Sequence, residues 1–176
     1  MIIDAHVHWS GGVCPGDRRA GAQDLFEAME SADVSKAVVV GLDPQDWNTI
    51  DEVTGACGSR LAAFIDLAPT ESNSAFVGEI VRRAAGLGET YVRCGSSQLP
   101  EDYLRPVLRI ARAHNLPVML HTGDFSYTAP AMMAAMIQEF SDVTFILAHM
   151  GSLAFVQDAI EVAAAFPNTY LENSGM

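Results

Sequence analysis

"IIDAHVHWS", residues 2–10, is a short apolar run that ends in two histidines two positions apart. On a strand, residues i and i+2 point to the same side, so His6 and His8 share one face of one strand end. Whether they meet anything depends on what the rest of the chain brings to that end.

Six further runs of the same kind follow: "KAVVVG" (36–41), "RLAAFIDL" (60–67), "ETYVRC" (89–94), "LPVMLHTG" (116–123), "DVTFILAHMG" (142–151) and "TYLENSG" (169–175). Most lack polar alternation, as strands covered on both faces do. Between them lie stripes of helical period: Ala22/Leu25/Phe26/Met29, Val77/Ile80/Val81/Ala84, Leu104/Val107/Leu108/Ala111, Met133/Met136/Ile137/Phe140 and Leu153/Val156/Ile160/Ala163. Pro106 is expected to open its helix or to kink it. Strand starts near 2, 36, 60, 89, 117, 143 and 169 give a steady β-α period, hence a parallel sheet with right-handed crossovers.

The expected architecture is an α/β fold of (β/α)8 TIM-barrel type. It is incomplete, with about seven β-α units and strand 8 absent, because such a barrel takes roughly 250 residues and this chain has 176. Residues 1–176 are read as one domain. A doubly wound open sheet is the alternative, but its Gly-rich fingerprint after strand 1 is replaced by HxH. The Gly-rich loop at 9–21 has no phosphate-cradling spacing.

Composition narrows the function classes. The residues are 49% apolar and 18% charged, and 10 basic against 22 acidic residues leave a net charge of −12. Such a surface is a poor partner for nucleic acid or anionic membranes. Three scattered cysteines and no CxxC fit a reducing, cytoplasmic setting, and no apolar run has membrane-spanning length. The expected partner is a small-molecule substrate. Open barrel edges would also offer a route to a homo-oligomer.

Four of the five histidines fall at the ends of expected strands: His6, His8, His121 and His149. In a β-α barrel those ends converge on one mouth, where catalysis occurs. Neutral imidazoles suit Zn²⁺ and similar divalent ions, and a bound ion lowers the pKa of its water toward neutrality. His6, His8 and His121 are the candidate metal ligands, and His149 is the candidate catalytic residue. Asp4 is read as orienting a ligand imidazole or capping the strand. Trp9 is read as a wall of the substrate pocket or as packing under the loop. The methionines Met119, Met132, Met133, Met136 and Met150 are read as core filler.

"IIDAHVH", "LPVMLHTG", "FILAHMG" and "FPNTYLENSG", in that order, resemble the amidohydrolase superfamily, in particular its amidohydrolase-related branch of metal-dependent hydrolases and decarboxylases. The resemblance implies that His6 and His8 are the HxH ligands, His121 the strand-5 ligand, and His149 the strand-6 histidine that binds a second metal or acts on substrate. Arg93 falls where the family often has a bridging Lys. Arg cannot form that bridge, which favours one ion, and it is read as a substrate-binding residue for a carboxylate. The family's strand-8 Asp has no counterpart; Asp124 and Glu172 are carboxylates near the mouth but not at its position. The implied function uses metal-activated water on a small organic acid, ester, amide or lactone, or decarboxylates one. Two alternatives are a TatD-like phosphoesterase, since Glu89 in "LGETYVR" resembles a strand-4 Glu of such nucleases, and a non-catalytic oligomeric remnant of the fold.

Overall fold

In the computed structural model, residues 1–9, 21–55, 60–67, 74–91 and 100–176 are described. Their strands are β1 (Ile2–His8), β2 (Val34–Leu42), β3 (Leu61–Ile65), β4 (Gly86–Thr90), β5 (Val118–His121), β6 (Phe145–Ala148) and β7 (Thr169–Leu171). They form one parallel sheet in the order β1-β2-β3-β4-β5-β6-β7. No order reversal occurs, so the doubly wound alternative is not found. Helices alternate with the strands: α1 (Ala22–Ser31), α2 (Trp47–Gly55), α3 (Ser74–Arg83), α4 (Pro100–His114), α5 (Pro130–Glu139) and α6 (Ser152–Ala165). None is long and apolar enough to cross a membrane.

The sheet is curled. Laid flat, six inter-strand steps would separate β1 from β7 by roughly 29 Å. Instead His6 Nδ1 on β1 lies 3.0 Å from Glu172 Oε2, one residue past β7. Seven strands wound into an incomplete TIM barrel satisfy both facts.

Alternation along the strands sorts the side chains into two layers. Val39, Ile65, Leu87, Val118, Leu120, Phe145 and Leu147 face outward into the main core, where α4 adds Leu104, Val107, Leu108 and Ala111 and α5 adds Met133, Met136 and Ile137. Val40, Phe64, Met119 and Ala148 face inward as a smaller cluster that floors the barrel. Gly86 makes room for it: a Cβ there would lie 2.4 Å from the Phe64 ring.

Some expected stripes are corrected. The α6 stripe does not face the core: Leu153 is 86% and Ile160 45% exposed, while Ala159 and Val162 are buried. Met132 is also exposed, unlike Met119, Met133 and Met136. Pro106 lies inside α4, past its first turn. The helix α2 had no stripe assigned to it, and β4 ends at Thr90, earlier than "ETYVRC" suggested. Arg93 lies outside the described residues.

Candidate metal centre

The four strand-end histidines meet, and they meet around Glu89. Its Oε1 is 2.6 Å from His121 Nδ1 and 3.0 Å from His149 Nε2. Its Oε2 is 3.3 Å from His6 Nε2 and 3.4 Å from His8 Nε2. The Glu89 side chain is buried, as is that of His6, whereas His8 is 61% exposed.

The local chain explains how Glu89 gets there. Leu87 faces the outer core, so strict alternation would turn Glu89 outward as well. Between β4 and β5, however, Leu87 pairs with Val118 and Thr90 with Leu120: three steps on β4 against two on β5. The extra residue is a bulge, and a bulge re-aims a side chain. β1 has the same irregularity between Asp4 and Val7.

Three of the imidazoles are tethered from behind. Glu172 accepts from His6 Nδ1, and Asp124 Oδ2 accepts from His121 Nε2 at 2.9 Å. The Ser174 carbonyl accepts from His149 Nδ1 at 2.9 Å. Each tether takes one ring nitrogen and turns the other toward Glu89. Glu172 is itself held, accepting from Ser174 N at 2.5 Å and Ser174 Oγ at 2.8 Å. Asp4 plays no such part; its Oδ1 accepts the backbone N–H of His6. Trp9 packs against the main core and lines a cavity of about 200 Å³ with Val7, His8, Asp24 and Leu25.

The loops after β5 and β6 are locked together. Thr122 Oγ1 donates to Ala148 O at 2.6 Å and accepts Gly151 N–H at 2.9 Å. Gly123, at φ +110°, comes so close that a Cβ would lie 2.3 Å from the Gly151 carbonyl carbon. His149 and Met150 hold left-handed φ values of 62° and 46°. Such values are costly for non-glycine residues, and their persistence beside candidate ligands is typical of functional sites.

Electrostatics suit a cation. Burial pushes the Glu89 carboxyl up, but His121 and His6 outweigh it and hold the group well below the usual carboxylate range. Glu172 and Asp124 are lowered too, the first by Ser174, the His149 N–H and His6 against burial, the second by Tyr91 and His121. His6 and His121 are raised, because their carboxylate partners overcome burial. His8 is lowered by partial burial among the neighbouring rings and by the other three imidazoles, against Glu89, which raises it.

These side chains fall into candidate ligand groups: His6, His8 and Glu89; His6, His149 and Glu172; and Glu89, His121 and His149. Tetrahedral ligands about 2.0–2.1 Å from Zn²⁺ stand roughly 3.4 Å from one another. In the first group the separations are 3.1, 3.3 and 3.4 Å, so that donor set fits a cation as it stands. The expected ligand His121 joins the third group with His149, on the other oxygen of Glu89.

The amidohydrolase family model, Amidohydro_2, matches residues 3–176. The chain belongs to this amidohydrolase family. None of the curated proteins matches it in sequence. Among solved structures it is similar to a probable 2-pyrone-4,6-dicarboxylic acid hydrolase from Acinetobacter baumannii, with TM-score 0.69 and 16% identity, over 99% of this chain and 70% of that one. An uncharacterized TIM-barrel protein from Bordetella bronchiseptica gives 0.67 and 22%, over 87% and 59%. A dihydroorotase from Campylobacter jejuni gives 0.63 and 18%, over 97% and 53%. At these identities the likeness concerns the fold, and this amidohydrolase chain spans between about half and seven tenths of the three proteins.

Sequence reasoning had Glu89 only through the likeness to TatD nucleases. Arg93 was named from the family's strand-4 Lys position and lies outside the described residues; the inward turn of Glu89 was not legible, because no pattern in one sequence announces a bulge.

Proposed function

We propose that this chain is a metal-dependent hydrolase in which Glu89 is shared between two divalent cations, Zn²⁺ being the natural candidate. His6 and His8 complete one position and His121 and His149 the other. The carrying observation is the triangle of His6, His8 and Glu89 donors, spaced as ligands of one small tetrahedral ion. The second group stands at hydrogen-bond spacing, and His121 Nδ1 and His149 Nε2 would each give up a proton now shared with Glu89 to hold a cation there.

Bound cations supply an acidified water and a Lewis acid for a carbonyl oxygen. The protein's part is placement. Glu172, Asp124 and the Ser174 carbonyl fix three rings, and Glu89 stays ionised between them. The substrate class is a small organic acid, ester, amide or lactone. The role of Glu89 also favours a second reading, phosphoester hydrolysis, which uses paired cations in the same way.

Zinc titration of the metal-free chain tests the proposal. Two tight equivalents are expected, with the His6–His8 position weakened at least about tenfold in His8→Ala and unchanged in His114→Ala, whose histidine lies on α4 away from the cluster. Absence of zinc uptake by the unaltered chain would sink the reading. Hydrolysis of a lactone and amide panel against a phosphodiester separates the two substrate classes.

A further inference from the structure

Asp124 follows His121 by three residues, yet it does not reach the centre. It meets His121 at Nε2, the nitrogen farther from Glu89, and stands 45% exposed at the mouth. None of the candidate ligand groups among the described residues includes it. It is not a loose surface carboxylate either. Tyr91 Oη donates to the same Asp124 oxygen at 2.8 Å, and the Tyr91 ring lies tilted against the His121 ring with centroids 4.1 Å apart. One residue thus holds the face of the imidazole and the carboxylate behind it.

The backbone under Asp124 is equally constrained. Gly123 N–H donates to Thr128 O at 3.2 Å and Phe125 N–H to Thr128 Oγ1 at 3.0 Å; Thr128 Oγ1 donates back to Phe125 O at 2.9 Å. Gly123 is pressed onto Gly151. The turn therefore presents Asp124 in a set place, independent of any contact made by its own side chain.

We infer that Asp124, held by Tyr91, is the positioning residue of His121: it holds the Nε2 proton in place, so that Nδ1, which donates to Glu89 in the metal-free chain, is the nitrogen that gives up its proton when a cation binds. An imidazole has one nitrogen to give to a cation, and the partner of the other selects which. Glu172 does this for His6 with the opposite result, taking Nδ1 and leaving Nε2. Asp124 is thus assigned a part in cation binding without touching the cation. This rests on the reading of His121 as a ligand of the second position.

Two measurements on the full 176-residue chain test it. In the metal-free protein near pH 6, proton–nitrogen correlation spectra should show an exchange-protected His121 Nε2–H that disappears in Asp124→Ala. In zinc titration, Asp124→Ala should weaken the second equivalent by about 10–100-fold and leave the first unchanged. Asp124→Asn, whose amide oxygen still accepts the Nε2–H, should recover most of that loss, and Tyr91→Phe should cost less than Asp124→Ala. Circular dichroism confirms that each variant is folded. An unprotected Nε2–H in the unaltered protein, or an Asp124→Ala chain that binds both equivalents normally, overturns the inference. If the unaltered protein takes up only one equivalent, the two-cation reading falls, and the ring N–H signal still decides whether Asp124 holds His121.

Discussion

All five residues of β4 are buried, whereas none of the seven residues of β1 is, and the first four are exposed. Both strands deliver ligand-type side chains to one centre. β4 pairs with β3 and β5, and its residues are set by packing on both faces. Among the described residues β1 pairs with β2 alone. Its His6 is held by contacts inside the site itself: the Asp4 oxygen on its N–H, Glu172 behind the ring, and Glu89 in front. One half of the site is placed by the core, and the other half is placed by the site.

The largest test of this contrast is Glu89→Ala. It removes the carboxylate that all four imidazoles face, so zinc uptake should vanish and the metal-free chain should lose about 3 kcal/mol in urea unfolding near pH 6. Amide exchange should speed up in β1 and stay slow in β5 and β6. Equal effects on all three strands would break the contrast.

Thr122→Val probes the packed half. The valine leaves Ala148 O and Gly151 N–H, both buried, without their present partner. A loss of about 2 kcal/mol is expected, with β1 exchange unchanged. A value near zero would mean that the two loops are not joined through this hydroxyl.

The effect of pH sharpens the contrast further. His6 and His121 have raised values, so their stabilisation is complete below the unfolded value near 6.5 and fades as pH rises through the folded values. Glu89, Glu172 and Asp124 have lowered values, so theirs is complete above roughly 4 and fades as pH falls through the folded values. His8, lowered but mostly exposed, opposes this weakly from the acid side. The metal-free chain should therefore be most stable between about pH 4.5 and 6.5, and β1 should loosen first on either side, as read by amide exchange. A flat profile across pH 5–8 would show that the cluster contributes little to folding.

Ile3→Ala is the smallest expected effect. Ile3 is 52% exposed, and the change should stay within about 0.5 kcal/mol in urea unfolding. A large loss would mean that β1 is packed far better than its exposure indicates.

Much of this molecule was legible in one dimension. The stripes at Leu104/Val107/Leu108/Ala111 and Met133/Met136/Ile137/Phe140 are fully buried, as their spacing required. The α6 stripe misled because apolar residues lie all round that helix, and periodicity does not say which side a neighbour covers. The four strand-end histidines were visible because a strand's end is marked by the turn residues that follow it, and the β-α repeat alone aligns those ends.

Spacing along the chain was enough for the β-α period, the parallel sheet and the placing of His6, His8, His121 and His149 at strand ends, since each of these is a local pattern. What stands among them was settled by packing between distant segments. Glu89 turns inward through a register shift between two strands, a relation that belongs to the pair and not to either segment. Glu172 reaches His6 across 166 positions of chain because the sheet curls. Which nitrogen each ring offers follows from such distant partners, and no spacing along the chain contains that information.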